Sequence, residues 1–327
     1  MPDRKALLDQ WLRQQCQLAG FTLEPASEDA SFRRYFRVGL SHGASYIAMD
    51  APPEKENIQP FIEIEARLQA AGVHSPRIYA QNLQQGFLLL EDLGDALYLP
   101  ALNEDTVERL YADALSALLS MQACIDPAGL PDYDRKLLQD EMSLFRDWLL
   151  GEHLRLELTA DEEALLQQCF HQLAESALSQ PKVFVHRDYH SRNLLTGIRH
   201  APGVIDFQDA VAGPVTYDLV SLLRDCYVSW APSQVDEWAW GYYDLAVQSG
   251  VLRDAHEADF LRWFDLMGAQ RHLKAAGIFA RLHHRDAKSG YLKDIPRTLH
   301  YIVEAAARQP VLAGLSEFLQ QRVLPKL

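Results

Sequence analysis

Residues 183–195 read VFVHRDYHSRNLL. An apolar run, Val183-Phe184-Val185, stops at His186-Arg187-Asp188. Asn193 follows five positions after the aspartate, and the chain turns apolar again at Leu194-Leu195. A short run with β-branched and aromatic residues reads as a buried strand. What it releases is either an ordinary polar turn or a loop that holds a base and a metal ligand. The next apolar segment bears on the choice. It reads GVIDFQDA over 203–210, and it too releases a carboxylate, Asp206, directly after Val204-Ile205.

Two short apolar segments thus each end in a carboxylate, 18 residues apart, with Asn193 between them. A hairpin of the two would bring Asp188, Asn193 and Asp206 to one end. Phosphoryl transfer uses that set of residue types. One carboxylate orients the attacking hydroxyl and accepts its proton, while a second carboxylate and a neutral amide oxygen hold Mg²⁺ on the nucleotide phosphates. An asparagine among the ligands limits the negative charge that faces those phosphates. The spacing matches the HxDxxxxN catalytic loop and following metal-binding aspartate of the kinase superfamily. That pattern fixes only three positions, so it draws its weight from the strand before it and from the strand-borne aspartate 13 residues after Asn193. His186 and His190 read as supports of the loop, since a zinc pair at i and i+4 needs a helix and a third ligand. Asp218, in GPVTYDLVSLLRD, is either a helix N-terminal carboxylate favoured by the dipole or a buried brace for the loop, and the two readings are compatible.

Outward from this island, residues 3–19 carry Leu7, Leu8, Trp11, Leu12 and Leu18 at helical spacing. Strand candidates follow at 21–23, 32–38, 45–49, 76–79 and 86–90, with a helix marked by Phe61, Ile64, Leu68 and Ala71. After Glu91-Asp92-Leu93-Gly94 the chain reads as helical over 104–124, 134–150, 160–179, 215–229, 233–249, 257–282 and 296–323, interrupted only by the island at 183–206. The expected fold is therefore α+β and two-lobed, with a small β-rich N-lobe over 1–93 and a larger helical C-lobe over 94–327. A cleft between such lobes is where ligands usually sit.

The formal net charge is −14, from 31 Lys plus Arg against 45 Asp plus Glu. That balance argues against nucleic acid or an anionic membrane as partner. Cys16, Cys124, Cys169 and Cys226 are widely spaced and form no CxxC pair, so neither a zinc site nor a disulfide framework is expected. The opening MPDRKALLDQW is charged and amphipathic and lacks an apolar leader core, and no stretch approaches ~20 uninterrupted apolar residues. These features set the expectation of a cytoplasmic protein with no obligate protein partner.

HRDYHSRN, VIDFQDA and GPVTYDLVSLLRD, in that order, resemble the aminoglycoside phosphotransferase (choline kinase-like) superfamily. SEDASFRRYFRV, YIAMDAPPEKE, GFLLLEDLGD and the long QRHLKAAGIFARLHHRDAKSGYLKDIPRTLHYI narrow the resemblance to one branch, the bacterial anomeric sugar kinases of peptidoglycan recycling. The resemblance covers roughly residues 20–305, and the last motif is its most specific part. It implies a protein-kinase-like fold that uses ATP and Mg²⁺ to phosphorylate the C1 hydroxyl of N-acetylmuramate and N-acetylglucosamine. By position, Asp188 would be the catalytic base and Asn193 and Asp206 the Mg²⁺ ligands. The stretch 27–36 would be the loop over the ATP phosphates, with Ser31, Arg33 and Arg34, although it has no glycine to ease backbone approach. The backbone of Glu91 and Leu93 would meet adenine.

One departure stands out. Kinases place a lysine on the third strand to hold the phosphates, whereas this strand reads Tyr46-Ile47-Ala48-Met49-Asp50. Arg33, Arg34 or Lys55 is expected to supply that charge, unless all three are solvated cations. Glu65 shares a helical face with Phe61 and Leu68 and, lacking a lysine partner, takes no catalytic role. For the sugar, whose lactyl carboxylate suits paired arginine donors, the candidates are Arg224, Arg271, Lys274, Arg281 and Arg285. Arg271 and Lys274 are one helical turn apart. Asp209 either bonds sugar hydroxyls or stabilises its own turn. Two other functions stay open: an aminoglycoside or amino-alcohol kinase, which the acidic balance suits, and a nucleotide-binding pseudokinase, for which the missing lysine speaks.

Overall fold

The computed structural model describes residues 3–28, 32–200 and 202–327, and the chain packs as two units. One comprises Met1–Asn103 with Asn193–Asp209, the other Glu104–Arg192 with Ala210–Leu327. The sequence reading placed its boundary at 93/94. By packing, the N-terminal unit runs ten residues further and takes back 193–209.

The N-terminal unit opens with α1 (Arg4–Gln14), whose cap is Asp3 accepting the Lys5 N–H. Five antiparallel strands follow: β1 (Phe21–Glu28), β2 (Arg34–Leu40), β3 (Ser45–Asp50), β4 (Ile78–Asn82) and β5 (Phe87–Glu91). Their order in the sheet is β1-β2-β3-β5-β4. Along β2, Tyr35 and Arg37 are only partly buried while Phe36 and Val38 are buried, the two-residue alternation of a strand with one buried face. Those two residues, with Ala48, Phe87 and Leu89, pack against Leu8, Trp11 and Leu12 of α1. Helix α2 (Gln59–Ala70) buries Phe61, Ile64, Glu65 and Leu68, and α3 (Tyr98–Ala101) is a single turn. Glu65 accepts the backbone N–H of Ile78, and burial raises its pKa. Gly86 takes φ +71 close against Ala51, where a Cβ would lie 1.8 Å from the Ala51 carbonyl oxygen.

The helical unit contains α4 (Val107–Cys124), α5 (Arg135–Leu144), α6 (Ala160–Leu178) and the short β6 (Lys182–Val185). The chain then contributes β7 (Leu194–Leu195) and β8 (Gly203–Val204) to the N-terminal unit, and returns through β9 (Val211–Pro214) to α7 (Tyr217–Leu223), α8 (Pro232–Gln248), α9 (Glu257–Asp286), α10 (Ile295–Ala306) and α11 (Ala313–Phe318). Helix α9 is the axis of this unit. Its 30 residues bury side chains on every face, including Asp265, Gln270, Arg271, His272 and Lys274. Gly277 lets it approach Leu144 and Phe145, since a Cβ there would lie 2.3–2.5 Å from their backbone atoms. At that point the helix expected over 134–150 becomes a π-turned segment, Phe145–His153.

The expected hairpin of the two apolar segments does not form. β6 pairs with β9, and β8 pairs with Leu194-Leu195. The short apolar return after Asn193 is itself a strand and captures Gly203-Val204, so Val183–Val185 takes the later run. Two expected helices are also shorter. The segment at 215–229 ends at Leu223, beyond which the Asp225 carboxylate takes the Tyr227 N–H. The one at 296–323 breaks at Pro310, which cannot continue the backbone ladder. No helix among the described residues is long and apolar enough to cross a membrane.

Candidate active site

β6 ends at Val185, and the loop it feeds is held by buried carboxylates of the helical unit. Asp218, fully buried, accepts the backbone N–H of His186 at 2.6 Å and of Arg187 at 3.0 Å. Arg187 sits at φ +78, a left-handed conformation that a non-glycine residue adopts only when its surroundings impose it. The Asp188 N–H donates to His186 Nδ1 at 3.3 Å, and Tyr189 Oη donates to the Ala114 carbonyl at 2.8 Å. Ser191 gives both its N–H and its Oγ hydrogen to Asp225 Oδ2, at 2.9 and 2.5 Å. Asp188 is thus carried on a loop tied down on both sides of it.

The charge around Asp188 is positive. Burial alone raises its pKa, but Lys274, His190, Arg271 and Arg187 together bring it down to about 2. Asp218 lies at the other extreme: burial lifts it to about 6 against the lowering by His186 and the two backbone donors. His190 is held down to about 4, first by burial. Arg187 and Lys274 also meet another buried carboxylate, Glu141. It accepts from Arg187 at 2.5 Å, lies 3.1 Å from Lys274 Nζ and also receives the Tyr133 hydroxyl. Lys274 Nζ donates to Tyr217 Oη at 2.9 Å. Arg271 is 5% exposed, and its Nε makes no hydrogen bond among the described residues.

The N-terminal unit holds the other donors. Ile205 donates its N–H to the Asn193 carbonyl at 3.1 Å, which sets the Asn193 amide beside the Asp206 carboxylate, Nδ2 to Oδ2 3.4 Å. Asp206 is left-handed at φ +64. Gln208 donates to its Oδ1 at 3.0 Å, and the Arg33 guanidinium stands 3.8 Å from the same oxygen. On β3, where a lysine was missing, the buried Asp50 accepts from Arg4 at 2.8 Å and from Arg34. Lys55 lies over the Phe32 ring at 4.4 Å. The Glu91 N–H donates to the Arg77 carbonyl at 2.9 Å, and Leu93 packs on Gly203.

Comparison with known proteins gives this geometry its family. The phosphotransferase enzyme family model matches residues 22–249, more than half of the chain. The chain belongs to the phosphotransferase enzyme family. The chain is 49% identical over 301 residues, 92% of its length and 88% of the relative's, to an N-acetylmuramate/N-acetylglucosamine kinase of Pseudomonas putida. A protein of the same name from Pseudomonas aeruginosa is 49% identical over 298 residues, 91% of this chain and 87% of that one. Among solved structures, choline kinase from Streptococcus pneumoniae superposes with a TM-score of 0.65 at 12% identity, over 93% of this chain and 99% of that one. The fold is thus protein-kinase-like, and the chain is an ATP-dependent phosphotransferase.

In this phosphotransferase the residues singled out from sequence divide by unit. Asp188, His186, Asp218, Arg271 and Lys274 share the helical unit, and Asn193, Asp206, Arg33, Arg34, Glu91 and Leu93 the N-terminal one. Ser31 lies outside the described residues. Arg224 is tied to the buried Asp265 at 2.7 Å, so its charge is already met within the fold. Asp209 is exposed and accepts from Gln208 at 3.2 Å. Arg285 pairs with Asp286, and Arg281 is half-buried. Sequence reading missed Glu141 and Asp225. Glu141 did leave a signal: it lies on the stripe Leu138, Met142, Phe145, all buried, where a lone carboxylate must find a cation.

Proposed function

We propose that the chain transfers the γ-phosphoryl group of ATP to the anomeric hydroxyl of N-acetylmuramate and N-acetylglucosamine, a step of peptidoglycan recycling. The observation that carries this reading is the 49% identity, over about nine-tenths of the chain, to two kinases that bear those sugars in their names. In it, Asp188 accepts the proton of the C1 hydroxyl as the new O–P bond forms. The bond from the γ-phosphorus to the bridging oxygen breaks, and ADP leaves. A carboxylate with a pKa of about 2 is ionised at neutral pH and ready to orient that hydroxyl. Its contribution is mainly positioning.

The donor set of Asn193 and Asp206 fits Mg²⁺. It is one amide and one carboxylate side by side, with Asn193 Nδ2 3.4 Å from Asp206 Oδ2 and the Arg33 guanidinium 3.8 Å from Oδ1, and the amide and carboxylate oxygens are hard ligands of the kind that ion takes. Bound there, the ion would neutralise charge on the nucleotide phosphates. Arg33 is assigned the phosphate charge that the third strand does not supply. Adenine is assigned to the backbone of Leu93 and the carbonyl of Glu91, whose N–H is engaged by the sheet. Arg271 is assigned to the lactyl carboxylate, because its buried guanidinium retains an unanswered Nε–H. The N-terminal unit is thus the nucleotide-binding part and the helical unit the sugar-binding part. ATP as donor places the reaction in the cytoplasm.

The test is ADP release with Mg²⁺ and ATP on N-acetylmuramate, N-acetylglucosamine, an aminoglycoside or no acceptor, with ³¹P NMR of the product. Phosphorus coupled to the anomeric proton of either sugar is the expected result. Turnover on the aminoglycoside alone would discard the sugar assignment. No turnover on any acceptor, with nucleotide still bound, would make the chain a binding module. Asp188→Asn is expected to lose turnover while ATP binding stays measurable, and turnover within a few-fold of the parent would remove Asp188 from its role.

A further inference from the structure

We propose that His153, His283 and His284 form a binding site for a divalent transition-metal ion, zinc above all, at the far end of α9. None of the three belongs to the machinery described above. His153 closes the π-turned segment, and His283 and His284 lie in the last turn of α9. One ligand nitrogen from each lies within 4.8 Å of the others. His153 Nδ1 and His284 Nε2 are 3.2 Å apart. Zinc binds imidazole at about 2.0–2.1 Å, so two nitrogens at a tetrahedral angle stand about 3.3 Å apart. The observed pair already has nearly that separation.

The third ring has an outer partner. His283 Nδ1 is hydrogen-bonded to Ser289 Oγ at 2.9 Å, which leaves Nε2 as the ligand atom. A second ring nitrogen fixed by an outer partner is the usual arrangement of a metal-bound histidine. The rings meet edge to face, with centroids 4.6–5.8 Å apart. Three imidazoles suit zinc, copper or nickel rather than Mg²⁺. They leave a fourth position to solvent, and the exposed His284 gives the ion a way in. The ion would clamp the π-turned segment to the helix that carries Arg271 and Lys274, a structural role rather than a chemical one.

The experiment uses untagged, chelator-treated full-length protein without nucleotide or sugar. Zn²⁺ is titrated calorimetrically, and Co²⁺ serves as a visible probe of tetrahedral coordination. One Zn²⁺ per chain with a micromolar Kd is expected, together with a rise of about 4 °C in Tm at a hundredfold excess over Kd. His153→Gln and His284→Gln should each weaken binding at least tenfold, and Ser289→Ala about tenfold. All three variants should keep the parent's zinc-free turnover and circular dichroism. No binding tighter than about 1 mM would overturn the site. So would stoichiometric binding that survives either histidine substitution, because the ion would then sit elsewhere.

Discussion

Asp218 accepts the backbone N–H of His186 at 2.6 Å from a position with no solvent exposure. The same carboxylate takes the Arg187 N–H, so one side chain holds the two residues that precede Asp188. Asp218→Asn should keep one acceptor and turn an amide donor toward the other N–H. A cost of about 1–3 kcal/mol is expected, with a fall in kcat larger than any change in KM. The pH dependence separates the charge from the shape. Because its folded pKa is raised to about 6, Asp218 contributes stability that grows as pH falls from 6.5 to 4.5, against the loss from His190 and His272, held down to about 4 and about 3, so Asp218→Asn should lose stability more steeply than the parent over this window. Asp188 works in the opposite sense, but its contribution is lost only as pH falls from about 4 toward 2, below this window. Urea midpoints of both proteins at the two pH values measure the difference. Identical pH slopes would contradict it.

Lys274 is one of two cations on the buried Glu141. Lys274→Met should therefore cost about 3–5 kcal/mol, the cost of leaving a buried charge with half its compensation. High salt should not restore it, since the pair is shielded from solvent. Adding Glu141→Gln to Lys274→Met should recover part of the loss, and a double-mutant cycle in denaturant reports the coupling. The same substitution removes a cation that lowers the Asp188 pKa, so the acid limb of kcat should move upward in pH.

Arg271 is assigned to a carboxylate that only one of the two sugars carries. Arg271→Ala should raise KM for N-acetylmuramate by more than tenfold and change KM for N-acetylglucosamine much less. Equal effects on both sugars would reassign Arg271 to support of Asp188. Arg271→Lys, which keeps the charge but not the paired donors, should fall between parent and alanine for N-acetylmuramate alone.

Arg33 and Arg34 are adjacent in sequence and have different partners. Arg33 stands by Asp206, and Arg34 is bonded to the buried Asp50. Arg33→Ala should raise KM for ATP at least tenfold with little change in Tm. Arg34→Ala should instead lower stability by about 1.5–3 kcal/mol, the range for a hydrogen bond to a charged group, with the ATP KM within a few-fold of the parent. Steady-state kinetics beside thermal melts distinguishes the two, and the reverse pattern would exchange their roles.

The two-part plan could be read from local pattern. Alternating strands such as Phe36 and Val38, helical stripes such as Leu8, Trp11 and Leu12, and carboxylates released at the ends of apolar runs are short-range features that periodicity reports directly. The loop 186–193 and Asp206 were legible for the same reason: their spacing along the chain is itself the signal. Strand partners were not, because pairing is a competition among segments. Leu194-Leu195 captured Gly203-Val204 and left Val183–Val185 to Val211–Pro214. The roles of individual cations were equally hidden. Arg224 and Arg271 look alike in sequence, yet burial gives one the carboxylate of Asp265 and sets the other beside Asp188. Which charges meet depends on how α9 packs against its neighbours, and the cost of an unpaired buried charge then decides what each of them does.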